Sequence, residues 1–150
     1  MSKEKFMLKF AIYLIPRIGD KVLLSLRHNT GFMDGKYGLV SGHVEAGETA
    51  EEALIRETSE EAGITVKESD LTFVFAEQRL SDEVQDDYVE LFFESTKWQG
   101  EVTNREPEKC AGLEWFDVNK LPKNTIPYIA DVLKLYPTGQ HYMSRRKVTV

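Results

Sequence analysis

The chain has 150 residues, of which 41% are hydrophobic, and a net charge of −6. This length suits one domain spanning residues 1–150 with a sizeable core. The acidic balance, without a basic stripe, excludes duplex nucleic acid as the expected partner, and the lack of a run of 18 apolar residues excludes a transmembrane helix.

The opening MSKEKFMLKF scatters charges through any apolar stretch, which is not the pattern of a signal peptide. Lys9 to Pro16 reads as a buried strand ended by Pro16 and a turn at Gly19-Asp20, and Lys21 to Arg27 as its hairpin partner. His28 to Gly38 reads as a glycine-punctuated loop, and Leu39 to Val44 as a short extended piece. Thr49 is a plausible N-cap, with Glu52 three residues on completing a capping box. The helix that follows runs to about Ala62 and stops at Gly63. Leu71 to Leu80, Tyr88 to Ser95 and Leu113 to Phe116 read as further strands. A second helix is expected over roughly Ile126 to Tyr136, where the apolar residues keep helical spacing. Arg145-Arg146-Lys147 reads as a solvated tail. Cys110 is the only cysteine, so no intramolecular disulfide can form; this suits a cytoplasmic location, with Cys110 as a small packing residue.

The most informative stretch is GHVEAGETAEEALIRETSEEAGI, residues 42 to 64. Glu57, Glu60 and Glu61 stand at i, i+3 and i+4, on one helix face. Glu57 and Glu61 share the side of the apolar Ala50, Ala53 and Leu54. Carboxylates there are costly unless paired or bound to metal. Glu60 and Glu61 also lie in the last helical turn, where the macrodipole disfavours anions. An all-oxygen cluster suits a hard divalent cation, Mg²⁺ or Mn²⁺, and points to chemistry on phosphates. The competing interpretation is a plain solvated acidic helix.

The stretch resembles the Nudix box, G-x5-E-x7-R-E-U-x-E-E-x-G-U, in which U is bulky and apolar. Gly42, Glu48, Arg56, Glu57, Glu60, Glu61 and Gly63 fill its fixed positions, and Ile64 the last U; Thr58 is a smaller, more polar choice at the first. The region EPEKCAGLEWFDVNKLP is similar to the closing part of small Nudix nucleotide hydrolases. The resemblance implies an α/β/α sandwich around a mixed sheet, with the box as a loop-helix-loop.

It also implies metal-dependent hydrolysis of a pyrophosphate bond in a nucleoside diphosphate-linked small molecule. The expected reaction takes a (deoxy)nucleoside triphosphate to monophosphate and pyrophosphate. ADP-ribose or sugar-nucleotide hydrolysis, and a non-catalytic nucleotide sensor, are the alternatives. The partner would be a small nucleotide and the state monomer or homodimer.

By resemblance Glu57, Glu60 and Glu61 match the metal ligands and catalytic acids, and Gly42 serves by its backbone. Arg56 orients a ligand glutamate by pairing with Glu60 or Glu48, and Glu48 and Gly63 support the box. Arg27, Tyr37, His43 and Glu45 are candidate substrate contacts. The chain reads Val40-Ser41-Gly42 where many relatives have Pro-Gly-Gly. The general base stays open among Glu60, Glu61 and the loop acids Asp82, Glu83, Asp86, Asp87, Glu106 and Glu108.

Overall fold

The computed structural model describes residues 3–82 and 86–146; Glu83 and Lys147 fall outside these. Strands β1 (Lys9–Ile18) and β2 (Lys21–Arg27) form the expected hairpin. β3 (Tyr37–Gly38) and β4 (Val40–His43) lead into helix α1 (Ala50–Ala62). β5 (Thr72–Leu80), β6 (Tyr88–Ser95) and β7 (Cys110–Asp117) follow, then helix α2 (Pro127–Leu135) and β8 (Tyr142–Arg146).

The strands join one mixed sheet in the order β3-β2-β1-β6-β5-β8, with β4 added to β1 and β7 to β2. The pairs β1–β6 and β5–β8 are parallel. Alternation along β1 sets the two layers. Ile12 and Leu14 face α1 with Val40, Ala53, Leu54 and Ile64. Ala11, Tyr13 and Ile15 face α2 with Phe75, Phe92, Ile129 and Leu133. Burying these apolar side chains on both faces is the main driving force for the fold.

The same edge of β1 carries two different partners. β4 pairs with Ala11 to Leu14, while β2 pairs only at Arg17 and Ile18. β2 then diverges and builds its own ladder with β3 and β7. The sheet therefore forks, and the fork opens between β2 and β4.

The capping box forms as expected: Thr49 accepts from the Glu52 N–H, and Glu52 accepts from the Thr49 N–H. Two strands depart from the sequence reading. β3 falls within the segment expected to be loop, and β8 includes Arg145 and Arg146, which were expected to be solvated tail. Within β8, Arg145 donates to Glu77 Oε1 at 2.9 Å and to Asp131 Oδ2 at 2.6 Å. Its guanidinium answers the buried Glu77 carboxyl, so Arg145 is structural.

Candidate active site

A cavity of about 770 Å³ lies in the fork. β4 and α1 supply one wall through Ser41, Gly42, His43, Arg56, Glu57, Glu60 and Glu61. β2, β7 and their loops supply the other through Ser25, Arg27, Thr30, Lys109, Cys110 and Leu113, with Glu106 between them in the lining.

The box residues hold one another. Arg56 Nε donates to Glu48 Oε2 at 2.8 Å and Nη2 to Glu48 Oε1 at 2.9 Å. This two-pronged pair holds the Glu48 carboxyl down at about 2. Arg56 Nη1 donates to Glu57 Oε1 at 2.8 Å, and Glu60 lies 3.6 Å and Glu45 3.8 Å from the same guanidinium. Both partners expected for Arg56 are thus found, with Glu48 the stronger. Glu45 additionally caps the turn, its N–H donating to Glu48 Oε1.

Glu61 sits differently. Its Oε2 accepts from the Ser41 N–H at 3.0 Å. Burial, with the charge of Glu57 adding to it, pushes the Glu61 carboxyl up to about 8. Burial also raises Glu57, against the pull of Arg56. Such shifts mark carboxylates short of positive charge.

Gly42 faces Glu57 directly, since a Cβ there would overlap the Glu57 carboxyl. Gly63 has a different task. It takes φ +68° in the left-handed region, ends α1, and donates to the Ser59 carbonyl at 3.1 Å.

Among the described residues, no three acidic, histidine or cysteine side chains converge as a ready-made metal cage. The three box glutamates share the cavity, with Glu57 and Glu60 directed to Arg56 Nη1 and Glu61 to the Ser41 N–H. The donor set still fits a hard divalent ion: all oxygens, one carboxylate paired to Arg56, and one held up to about 8 by burial and its neighbours.

Of the candidate substrate contacts, Arg27, His43 and Glu45 line the cavity and Tyr37 does not. The Tyr37 ring packs edge-on against Phe116 at 4.9 Å, and its hydroxyl donates to Glu114. The short β2–β3 ladder turns that ring into the α2-side core. The His43 ring stacks on Tyr88, with Nε2 and the Tyr88 hydroxyl 3.1 Å apart.

Of the loop acids, Glu106 alone among the described residues lines the cavity. Its charge raises both Glu57 and Glu61. Asp86 pairs with Lys9, and Asp87 accepts from the Ser81 N–H. Cys110 is more than filler: it forms part of the cavity wall, accepts from Ser25 Oγ at 3.2 Å and donates to the Gly112 carbonyl. Lys109 was not anticipated, since one lysine in an EPEK segment carries no local signal.

A mixed sheet thus lies between two helices, and the glutamate-bearing helix lines a cavity in that sheet. A family model described as NUDIX domain matches residues 6–136, and the chain belongs to the Nudix family of hydrolases, enzymes acting on nucleotide-linked substrates. It is 33% identical over 129 residues to an ADP-ribose pyrophosphatase of Methanocaldococcus jannaschii, covering 81% of this chain and 73% of that one. It is 28% identical over 131 residues to the 8-oxo-dGTP diphosphatase of Escherichia coli, covering 85% and 98% respectively. The fold matches a MutT NUDIX hydrolase structure from Burkholderia pseudomallei with a TM-score of 0.78 at 23% identity, over 85% of this chain and 97% of that one.

Proposed function

We propose that this enzyme hydrolyses (deoxy)nucleoside triphosphates to a monophosphate and pyrophosphate in a metal-dependent reaction. The observation that carries this reading is the joint placement of Glu57, Glu60, Glu61 and Glu106 on one cavity that also holds Arg27. The Escherichia coli relative, matched over nearly its whole length, is named for a triphosphate substrate and supports the same reading.

Glu57, Glu60 and Glu61, with the Gly42 carbonyl, would hold Mg²⁺ or Mn²⁺. A bound divalent ion lowers the pKa of water and offsets phosphate charge. The chain's own groups do the rest. Arg56 fixes the Glu57 carboxyl from behind, with Glu48 fixing Arg56. The Ser41 N–H orients Glu61. Arg27 meets substrate phosphate.

Glu106 is the best-placed acceptor for the proton of an attacking water. Its loop is braced where its N–H donates to Asn104 Oδ1 at 3.2 Å and Asn104 Nδ2 donates to the Cys110 carbonyl at 2.8 Å. A general base must reach the reacting water by hydrogen bond, and a cavity position is the first requirement.

The archaeal relative's name keeps ADP-ribose as a second reading. The test is turnover with Mg²⁺ on a panel of nucleoside triphosphates, ADP-ribose, diadenosine polyphosphates and sugar nucleotides, with products identified. Triphosphates should give monophosphate and pyrophosphate. Glu60→Gln, Glu61→Gln and Glu106→Gln should each lower kcat by roughly 10²-fold or more. Orthophosphate as product, or no turnover on the whole panel, would overturn the reading.

A further inference from the structure

We propose that Lys109 is a specificity-determining residue that reads the terminal phosphate of a nucleoside triphosphate. This rests on the hydrolytic reading above and adds the group that selects among its substrates.

Three cations line the cavity, and they are committed differently. Arg56 is held by Glu48 and Glu57 at 2.8 Å, with Glu60 and Glu45 close by. Among the described residues, Arg27 donates only to neutral oxygens, the Phe32 carbonyl at 2.7 Å and Thr30 Oγ1 at 3.0 Å. Thr30 is itself fixed by donating to Asp34 Oδ1 at 2.6 Å. Arg27 is therefore held by two hydrogen bonds without meeting a carboxylate among the described residues. Lys109, like Arg27, enters no ion pair among the described residues.

The two uncommitted cations sit at the same end of one ladder. Arg27 pairs with Cys110 across β2 and β7, and the Lys109 carbonyl accepts from the His28 N–H at 3.0 Å. Each residue is thus anchored by backbone beside the other, on the wall facing the box glutamates. Five acids, Glu45, Glu57, Glu60, Glu61 and Glu106, line the same cavity, yet Lys109 pairs with none of them among the described residues.

Charge counting gives the ligand. A nucleotide joined to a sugar through two phosphates presents its two charges at the scissile linkage, where the box acts. Beyond that linkage it offers a neutral sugar, which gains little from an ammonium group. A triphosphate continues with a terminal phosphate bearing up to two further charges. Arg27 supplies the directional donors for it, and Lys109 the compact charge that a phosphate oxygen takes readily.

The test compares two non-hydrolysable ligands with the same base, α,β-methylene ATP and α,β-methylene ADP-ribose, by calorimetry on the whole protein in millimolar Mg²⁺. The wild type should bind the triphosphate analogue at least tenfold more tightly. Lys109→Met should weaken that analogue by roughly tenfold or more, move the diphosphate analogue much less, and so collapse the ratio. Lys109→Arg should restore most of it. A ratio unmoved in Lys109→Met, an equal loss for both ligands, or a wild type that prefers ADP-ribose would each overturn the assignment. Lack of turnover on every nucleotide, with this binding pattern intact, would sink the hydrolytic reading and leave Lys109 as a recognition residue.

Discussion

Gly42 and Glu57 cannot both carry a side chain at their present separation. A Cβ at position 42 would fall on the Cγ, Cδ and Oε1 atoms of Glu57. The glycine of the box is thus explained by a carboxylate, not by a turn. Gly42→Ala should swing Glu57 away from the cavity and lower kcat by about 10²-fold, since small displacements of positioned groups cost that much. The fold should survive, because the obstructing atoms are the mobile end of one side chain. Kinetics and a melting curve on one preparation check both halves; full turnover in Gly42→Ala would show that the place of Glu57 is immaterial.

Divalent ions should stabilise the protein. Glu57 and Glu61 are both raised by burial and by neighbouring acids, so a cation binding the folded state relieves a cost already present. The melting temperature should climb with Mg²⁺ or Mn²⁺ concentration as RT ln(1 + [L]/Kd). The rise should be smaller in Glu57→Gln and larger when a non-hydrolysable nucleotide is added. Curves that ignore millimolar ion, with and without nucleotide, would count against a metal role for these glutamates.

Thr58 stands where the box favours a bulky apolar residue. It is fully buried, and its hydroxyl finds no hydrogen-bond partner among the described residues. An unsatisfied buried hydroxyl costs on the order of 1 kcal/mol or more. Thr58→Val keeps the shape and removes the polar atom, so it should raise the melting temperature by roughly 3 °C without changing kcat. A lower melting temperature would mean that the hydroxyl is satisfied in solution.

The box helix was legible from its start to its end because its signals are local. Thr49 with Glu52 fixes one terminus, Gly63 the other, and Arg56 reaches Glu48 as the motif implies. β8 was not legible. Its residues alternate between exposed and half-exposed, and what holds it is a parallel pairing with β5, about 70 positions away in sequence. One signal was available: a glutamate inside the apolar run LTFVFAEQRL needs a cation, and Arg145 is its partner. Glu106 could not be separated from the other loop acids, because its place depends on a turn closed through Asn104. The orientation of Tyr37 was hidden for a similar reason, since two residues of β3 decide which way it faces.

The buried Glu77 makes a prediction about pH. It lies opposite Glu90 across β5 and β6, and each keeps one buried oxygen without a partner among the described residues. Burial lifts the Glu77 carboxyl from 4.5 to about 7, against the pull of Arg145. A raised folded-state pKa means that the folded protein holds this proton more tightly than the unfolded chain. The contribution is fully present below about 4.5 and is lost as pH rises through about 7. The full swing is on the order of 3 kcal/mol. Glu77→Gln keeps the neutral form at every pH. Its melting temperature relative to wild type should therefore rise between pH 5 and pH 8. A difference that stays flat across that interval would mean that Glu77 is ionised throughout.

The fork at β1 has a consequence for how such a protein can change. The glutamates stand over a ladder built on β4 and β1, whereas Arg27 ends the ladder of β2 with β7 and Lys109 directly precedes β7. Mutations that reshape one ladder need not disturb hydrogen bonds in the other. Recognition can then drift while the box glutamates stay fixed, and β7 with Lys109 becomes a practical unit for redirecting the enzyme to another nucleotide, provided that Glu106 in the loop before it is kept.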